Sequence, residues 1–228
     1  MSLEALREDI VGCKKCPRLI EWCKGAQGRN PASKDYDYWG KPVPGFGDPK
    51  GRLLIVGLAP GQHGANRTGR PFTGDRAGDW LYEALYRYGF ASRATSIGSG
   101  DGMQLKDVYI TNVVKCAPPN DKPVGEEFKA CSPYLTREIG LLKKTQIVLT
   151  LGRSSFDRFK TAAKGLGVET KGMVFKHGAI YSLGEGRPIV MATYHSSQRN
   201  TNTGRLTPEM WDEVFKNIRS MLGDKEEA

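Results

Sequence analysis

Residues 53–90 read LLIVGLAPGQHGANRTGRPFTGDRAGDWLYEALYRYGF. The apolar run LLIVG predicts a buried strand, Gly57 to Asp75 a glycine-rich turn, and the residues from Arg76 an amphipathic helix. That order places backbone N–H groups and a few side chains at the carboxyl edge of a parallel sheet, where open α/β folds bind ligands. Glycines such as Gly57 let the main chain approach a flat or anionic ligand closely. The stretch is neither G-x-G-x-x-G nor G-x-x-x-x-G-K-[ST], so it predicts a ligand other than a nucleotide cofactor.

Three further short runs rich in β-branched residues, VYITNVV (108–114), QIVLTLG (146–152) and PIVMATY (188–194), have the character of parallel-sheet strands. Residues 126–144, 153–165 and 207–222 between and after them carry apolar side chains near helical spacing. The alternation predicts an α/β fold with helices on both faces of a four-stranded, mostly parallel sheet. MVFKHG and AIYSL (173–183) predict a hairpin beside it. A chain of 228 residues fits one domain. Residues 1–50 hold a helix from Leu3 to Ile10, a cysteine segment and an irregular belt from Pro31 to Pro49; residues 51–223 form the α/β core. The tail GDKEEA is expected to fray.

Lys and Arg number 34 against 25 Asp and Glu, a net charge of +9. Either a polyanionic partner, nucleic acid first, or a merely soluble basic surface explains this. No apolar run approaches the ~20 residues of a membrane span, and MSLEALREDIVG lacks a signal-peptide pattern, so a cytoplasmic protein is expected. No apolar stripe points to an interface, which predicts a monomer. Five cysteines in such a chain argue against a disulfide framework. Cys13 and Cys16 form a C-x-x-C with Cys23 close behind, and Cys116 and Cys131 follow far downstream. Two distant pairs fit one structural zinc or one iron–sulfur cluster, while Cys116 and Cys131 as buried apolar fillers are the plain alternative. Lys14, Lys15, Arg18 and Lys24 around the first pair suggest a phosphate-facing surface.

Three loops should meet at the carboxyl edge: Ala59–Asp75, Lys115–Pro123 and Tyr194–Arg205. They offer His63, Asn66, Phe72 and Asp75; Asn120, with Asn112 on the preceding strand; and His195, Ser197, Gln198 and Arg199. An aromatic, an amide, a carboxylate and a histidine make a nucleobase site. Three of these segments, GLAPGQHGANRTGRPFTGD, TNVVKCAPPN and YHSSQRNTNTGRLT, together with the cysteine spacing, resemble uracil-DNA glycosylases of the iron–sulfur branches, most closely family 5 (type b). The resemblance runs from Cys13 to the last helix. It implies a three-layer α/β/α fold on a four-stranded sheet and a 4Fe–4S cluster on Cys13, Cys16, Cys116 and Cys131, with zinc the chemical alternative. The implied activity removes uracil from DNA, and hypoxanthine and other deaminated bases as well.

On that basis Phe72 stacks on the extruded base and Asn112 reads its edge, with Gly57, Ala59 and His63 around it. His195 donates to uracil O2 as the anion leaves. Asp75 stabilises the cation-like sugar and orients or deprotonates water, although an aspartate directly before a helix also serves as an N-cap. Asn120 is a second candidate for positioning water, or else a turn residue after Pro118-Pro119. Arg67, Arg70, Arg199 and Arg205 form a basic rim, with Ser197 and Gln198, for the DNA backbone and the gap left by the flipped base. His177 is expected to be structural. Where the family usually has His-Pro-Ser this chain has His195-Ser196-Ser197, which predicts a less rigid third loop.

Overall fold

The computed structural model describes residues 2–27 and 36–223. In chain order the elements are α1 (Leu3–Val11), α2 (Pro17–Lys24), β1 (Phe46–Gly47), β2 (Leu53–Gly57), α3 (Ala65–Thr68), α4 (Arg76–Arg87), β3 (Val108–Asn112), α5 (Gly125–Leu141), β4 (Ile147–Leu151), α6 (Arg153–Lys164), β5 (Ala179–Ser182), β6 (Ile189–Thr193), α7 (Gln198–Asn202) and α8 (Pro208–Met221). The start of the expected belt, residues 31–35, and the tail beyond Gly223 lie outside the described residues.

One six-stranded sheet has the order β1-β3-β2-β4-β6-β5. Its four inner strands are mutually parallel, and β1 and β5 are added antiparallel at the edges. The expected four-stranded parallel sheet is therefore the centre of a wider mixed one. The hairpin expectation needs correction. AIYS pairs not with MVFKHG but with the following strand IVMAT, Ile180 opposite Met191. MVFKHG is irregular instead, with Met173 and Phe175 turned into the core beneath α6 and Val174 left exposed.

Side chains on successive strand residues face opposite ways, which divides the core into two layers. Leu54, Val56, Val148 and Val190 pack with α2, α5 and α6, whereas Leu53, Ile55, Leu149 and Met191 pack with α4 and α8. This is the three-layer α/β/α arrangement. The carboxyl ends of β2, β3 and β6 lie together at one edge. In that register Gly57 stands opposite Asn112, and Thr193, paired with Leu151, ends two residues before His195.

Candidate active site

A cavity of about 670 Å³ opens at this edge and is lined by Ala59, His63, Phe72, Asp75, Asn112, Asn120, Asp121, His195, Ser197 and Gln198 among others. All three expected loops contribute. A volume of this size suits a small organic group.

Phe72 is buried and holds a left-handed backbone, φ 53°, unusual for a bulky residue. Its ring centroid lies 6.0 Å from that of His195, the planes tilted by 32°. Gly57 makes room for it. A Cβ there would come within 2.6 Å of the ring and would collide with the Asn112 side-chain oxygen as well. Asn112 is itself buried at the end of β3, and its Oδ1 has no hydrogen-bond partner among the described residues. An unsatisfied buried amide oxygen is costly, and this one belongs to a residue that lines the cavity.

Asp75 is both cap and cavity wall. It is the N-cap of α4, and its Oδ1 accepts from Gly78 N at 2.9 Å. Oδ2 faces Gly61 and Gly64, where a Cβ at Gly61 would come within 2.9 Å of it and one at Gly64 would collide. Burial raises the carboxyl above the usual aspartate range, the Gly78 N–H opposes this, and the Asp79 charge adds to it. Burial alone pushes His195 down to about 4, so its imidazole is neutral near pH 7. His63 reaches the Tyr38 hydroxyl through Nδ1 at 2.8 Å. Asn120 and Asp121 both take positive φ, 55° and 56°, in the turn after Pro118-Pro119. Asp121 escaped notice in the sequence because a charged residue in a proline turn carries no special signal.

Several side chains expected to contact DNA or the ligand are committed elsewhere. Arg70 is buried and ion-paired with Asp101 at 2.5 Å, with further bonds to Ser96, Thr73 and the Gly98 carbonyl. It cannot belong to a basic rim. Arg67 donates to the carbonyls of His63 and Gly74 and so clamps the ends of the loop that carries Asp75. Asn66 is buried outside the cavity and donates to the Cys23 carbonyl. Arg18 is paired with Glu127 and Lys15 lies over the Tyr134 ring, and both remain exposed. Arg199 and Arg205 are exposed, the latter 4.7 Å over the Tyr194 ring. His177 receives a hydrogen bond at Nδ1 from Tyr194 N and sits away from the cavity.

Side-chain hydrogen bonds brace the third loop where the proline is missing. Ser196 is fully buried and its hydroxyl donates to the Ala77 carbonyl in the first turn of α4, at 3.0 Å. Asn200 Nδ2 donates to the His195 carbonyl, and Ser197 caps α7. The His195 backbone is thereby tied to the helix that begins at Asp75.

The 176-residue span 44–219 matches the model of the uracil DNA glycosylase superfamily. The chain belongs to that superfamily. It is 44% identical over 223 residues to a type-5 uracil-DNA glycosylase of Thermus thermophilus, covering 98% of this chain and all of the relative. It is 42% identical to a type-5 uracil-DNA glycosylase of Mycobacterium leprae, over 97% of this chain and 96% of the relative. A type-4 uracil-DNA glycosylase of Sulfurisphaera tokodaii is more distant, 32% identical over 96% of this chain and 84% of the relative. The superfamily match spans all three loops that line the cavity.

Cys116 lies in the loop after β3 and Cys131 on α5. Cys16, Cys116 and Cys131 pack in one core layer, and Cys13 packs beside Tyr134. Among the described residues no three His, Cys or carboxylate side chains form a ready metal cage. Yet burial and the neighbouring thiols of Cys131 and Cys13 push Cys16 up to about 11. The hydrogen bond to Cys23, burial and the thiols of Cys131 and Cys13 likewise raise Cys116. Cys16, Cys116 and Cys131 would repel one another as thiolates, so a cationic centre bound among them would offset that repulsion and hold them deprotonated. Cys23 is buried and donates to the Ala117 carbonyl at 3.5 Å.

Proposed function

We propose that this chain is a monofunctional DNA glycosylase that hydrolyses the N-glycosidic bond of uracil in DNA and leaves an abasic site for base excision repair. The observation that carries this is the cavity that brings together Phe72 and Asp75 from the first loop, Asn112 from the end of β3 and His195 from the third loop. Enzymes of this class must take the base out of the stack. Phe72 then stacks on it, and the unpartnered Asn112 amide pairs with its edge. Gly57, Ala59 and His63 shape the wall around it. A neutral His195 donates to uracil O2 as negative charge develops there. Asp75 in its ionised form stabilises the cation-like sugar and orients or deprotonates the attacking water, with Asn120 beside it. No lysine lines this cavity among the described residues, which favours hydrolysis over a covalent imine. Hypoxanthine and other deaminated bases are further substrates.

Arg199, Arg205, Ser197 and Gln198 grip the backbone and fill the gap, and Arg67 supports the loop from behind. Cys13, Cys16, Cys116 and Cys131 would hold a 4Fe–4S cluster, with zinc as the chemical alternative. When bound, that centre supplies structure, fixing the segment between Cys116 and Cys131 that carries Asn120. Iron, sulfide and zinc analysis of protein purified without oxygen separates the two. The chain acts as one domain built on the α/β core 51–223, as a monomer and in the cytoplasm. No helix among the described residues is long and apolar enough to cross a membrane.

The test uses labelled duplexes with U·G, U·A or hypoxanthine·T, scored in parallel for binding and for alkali-sensitive abasic sites. Abasic sites confined to the damaged strand support the enzyme. Tight binding without any base release would leave only a damage-binding module.

A further inference from the structure

A second cavity, also about 670 Å³, lies beside the first and takes part of its wall from the irregular belt, a segment the reaction leaves without a role. Tyr36 and Ile97 line it and are 55% and 70% exposed. Exposed large apolar side chains are unremarkable singly, but this pair sits on a braced frame. The buried Arg70 guanidinium binds Ser96 Oγ, the Gly98 carbonyl and Asp101. Asp101 in turn accepts from the backbone N–H groups of Ile97, Gly98 and Met103. Arginine and aspartate buried together are costly unless fully hydrogen-bonded, and here they hold Ile97 out into solvent on a fixed loop.

The groove is continuous with the site. A shallow trough lined by Tyr36, Arg67, Gly74, Asp75 and Ile97 joins the two cavities, and Gly74 N donates to the Ser96 carbonyl at 3.0 Å. Cations border the aromatic faces: Arg67 lies 4.9 Å over the Tyr36 ring and Lys41 lies 5.3 Å over that of Trp39. Asp37 and Asp79 also stand on these walls, so the local charge is mixed rather than strongly positive. Flat apolar faces with cations and carboxylates at the rim suit a nucleobase better than a phosphate.

We infer that this groove takes an unpaired base of the DNA strand flanking the extruded nucleotide, stacked between Tyr36 and Ile97. The inference rests on the glycosylase reading, since it assumes that DNA crosses the edge at Asp75. It gives Arg70 a task in place of the phosphate contact expected from sequence, that of bracing the loop which presents Ile97.

The test measures binding of two dye-labelled single-stranded oligomers of equal length, one with undamaged bases and one with abasic tetrahydrofuran spacers throughout. Wild type should bind the base-bearing strand more tightly, and Tyr36→Ala and Ile97→Ser should each weaken that binding about tenfold while approaching the affinity for the spacer strand. Tyr86→Ala, an exposed tyrosine on α4 outside the groove, should bind as wild type does. Equal affinity of wild type and both groove variants for the base-bearing strand would overturn the inference, as would an equal loss in Tyr86→Ala. Uracil release by the wild-type protein is measured separately, so a groove that fails while release succeeds leaves the glycosylase reading standing.

Discussion

Gly57→Ala should silence the site while sparing the fold. Gly57 is the last residue of β2, in extended backbone that alanine adopts freely, so the substitution introduces no backbone strain. The added methyl would lie 2.6 Å and 2.7 Å from two carbons of the Phe72 ring, about 1 Å short of the separation at which carbon atoms rest. It would also press on the Asn112 oxygen, its partner across the strand pair. Both side chains line the cavity, so the space they can yield into is the base-binding site itself. Overpacking of this kind costs about 1–3 kcal/mol, a fall in melting temperature of roughly 2–4 °C per kcal/mol for a chain of this size. A displacement of about 1 Å in a positioning group costs on the order of 10²-fold in rate. Single-turnover uracil release from a U·G duplex should therefore fall about a hundredfold, with the melting transition still cooperative. Wild-type release by Gly57→Ala would refute the placement of the base between Phe72 and Asn112.

Asp75→Asn should lower base release by roughly 10²–10⁴-fold yet melt within a few degrees of wild type, since asparagine caps α4 nearly as well; equal rates would remove Asp75 from the reaction. Because burial raises Asp75, the acid limb of kcat/KM should fall at a pH above the ordinary aspartate value of 3.8, and a profile flat from pH 4 to 8 would contradict this. His195 has its folded pKa lowered to about 4, so its contribution to stability is complete above about 6.5 and is lost as the pH falls toward 4. His195→Gln should flatten that part of the melting-temperature profile, and an unchanged slope would show that the imidazole is not buried. Ser196→Ala removes the bond to the Ala77 carbonyl, at about 1 kcal/mol, and should slow release severalfold; unchanged kinetics would mean that the loop is held by other contacts. Lys115 and Glu138 form a fully buried pair at 2.6 Å that also engages Thr111, beside Asn112. Lys115→Met strands the carboxylate and should cost about 3–5 kcal/mol, most of it recovered in the Lys115→Met, Glu138→Leu double variant; a double variant no more stable than the single one would contradict this.

The strands and long helices were legible because their patterns are local: four β-branched runs, and apolar spacing in the segments between them. The edge strands were not. A two-residue pairing at Phe46–Gly47 has no period to read, and Ala179–Ser182 could pair with either neighbour until the sheet decided. The short helices α3 and α7 were hidden inside polar, glycine-bearing loops. In the site, Phe72, Asn112, Asp75 and His195 could be picked out because each residue type has distinctive chemistry next to a strand end or helix start. Arginines lack such a signal. Arg70 and Arg199 look alike in sequence, yet one is buried against Asp101, a partner 31 residues away, and the other is exposed. Ser196 illustrates the same limit, since a proline's absence was visible and the Ala77 carbonyl that compensates, 119 residues away, was not.

Release of free uracil, identified chromatographically after mixing excess anaerobically purified protein with a single U·G duplex, tests the central claim most directly. Stoichiometric uracil, matched by abasic sites and reduced at least a hundredfold in Asp75→Asn, is the predicted result. Intact uracil in the strand after prolonged incubation with DNA-bound protein would contradict it.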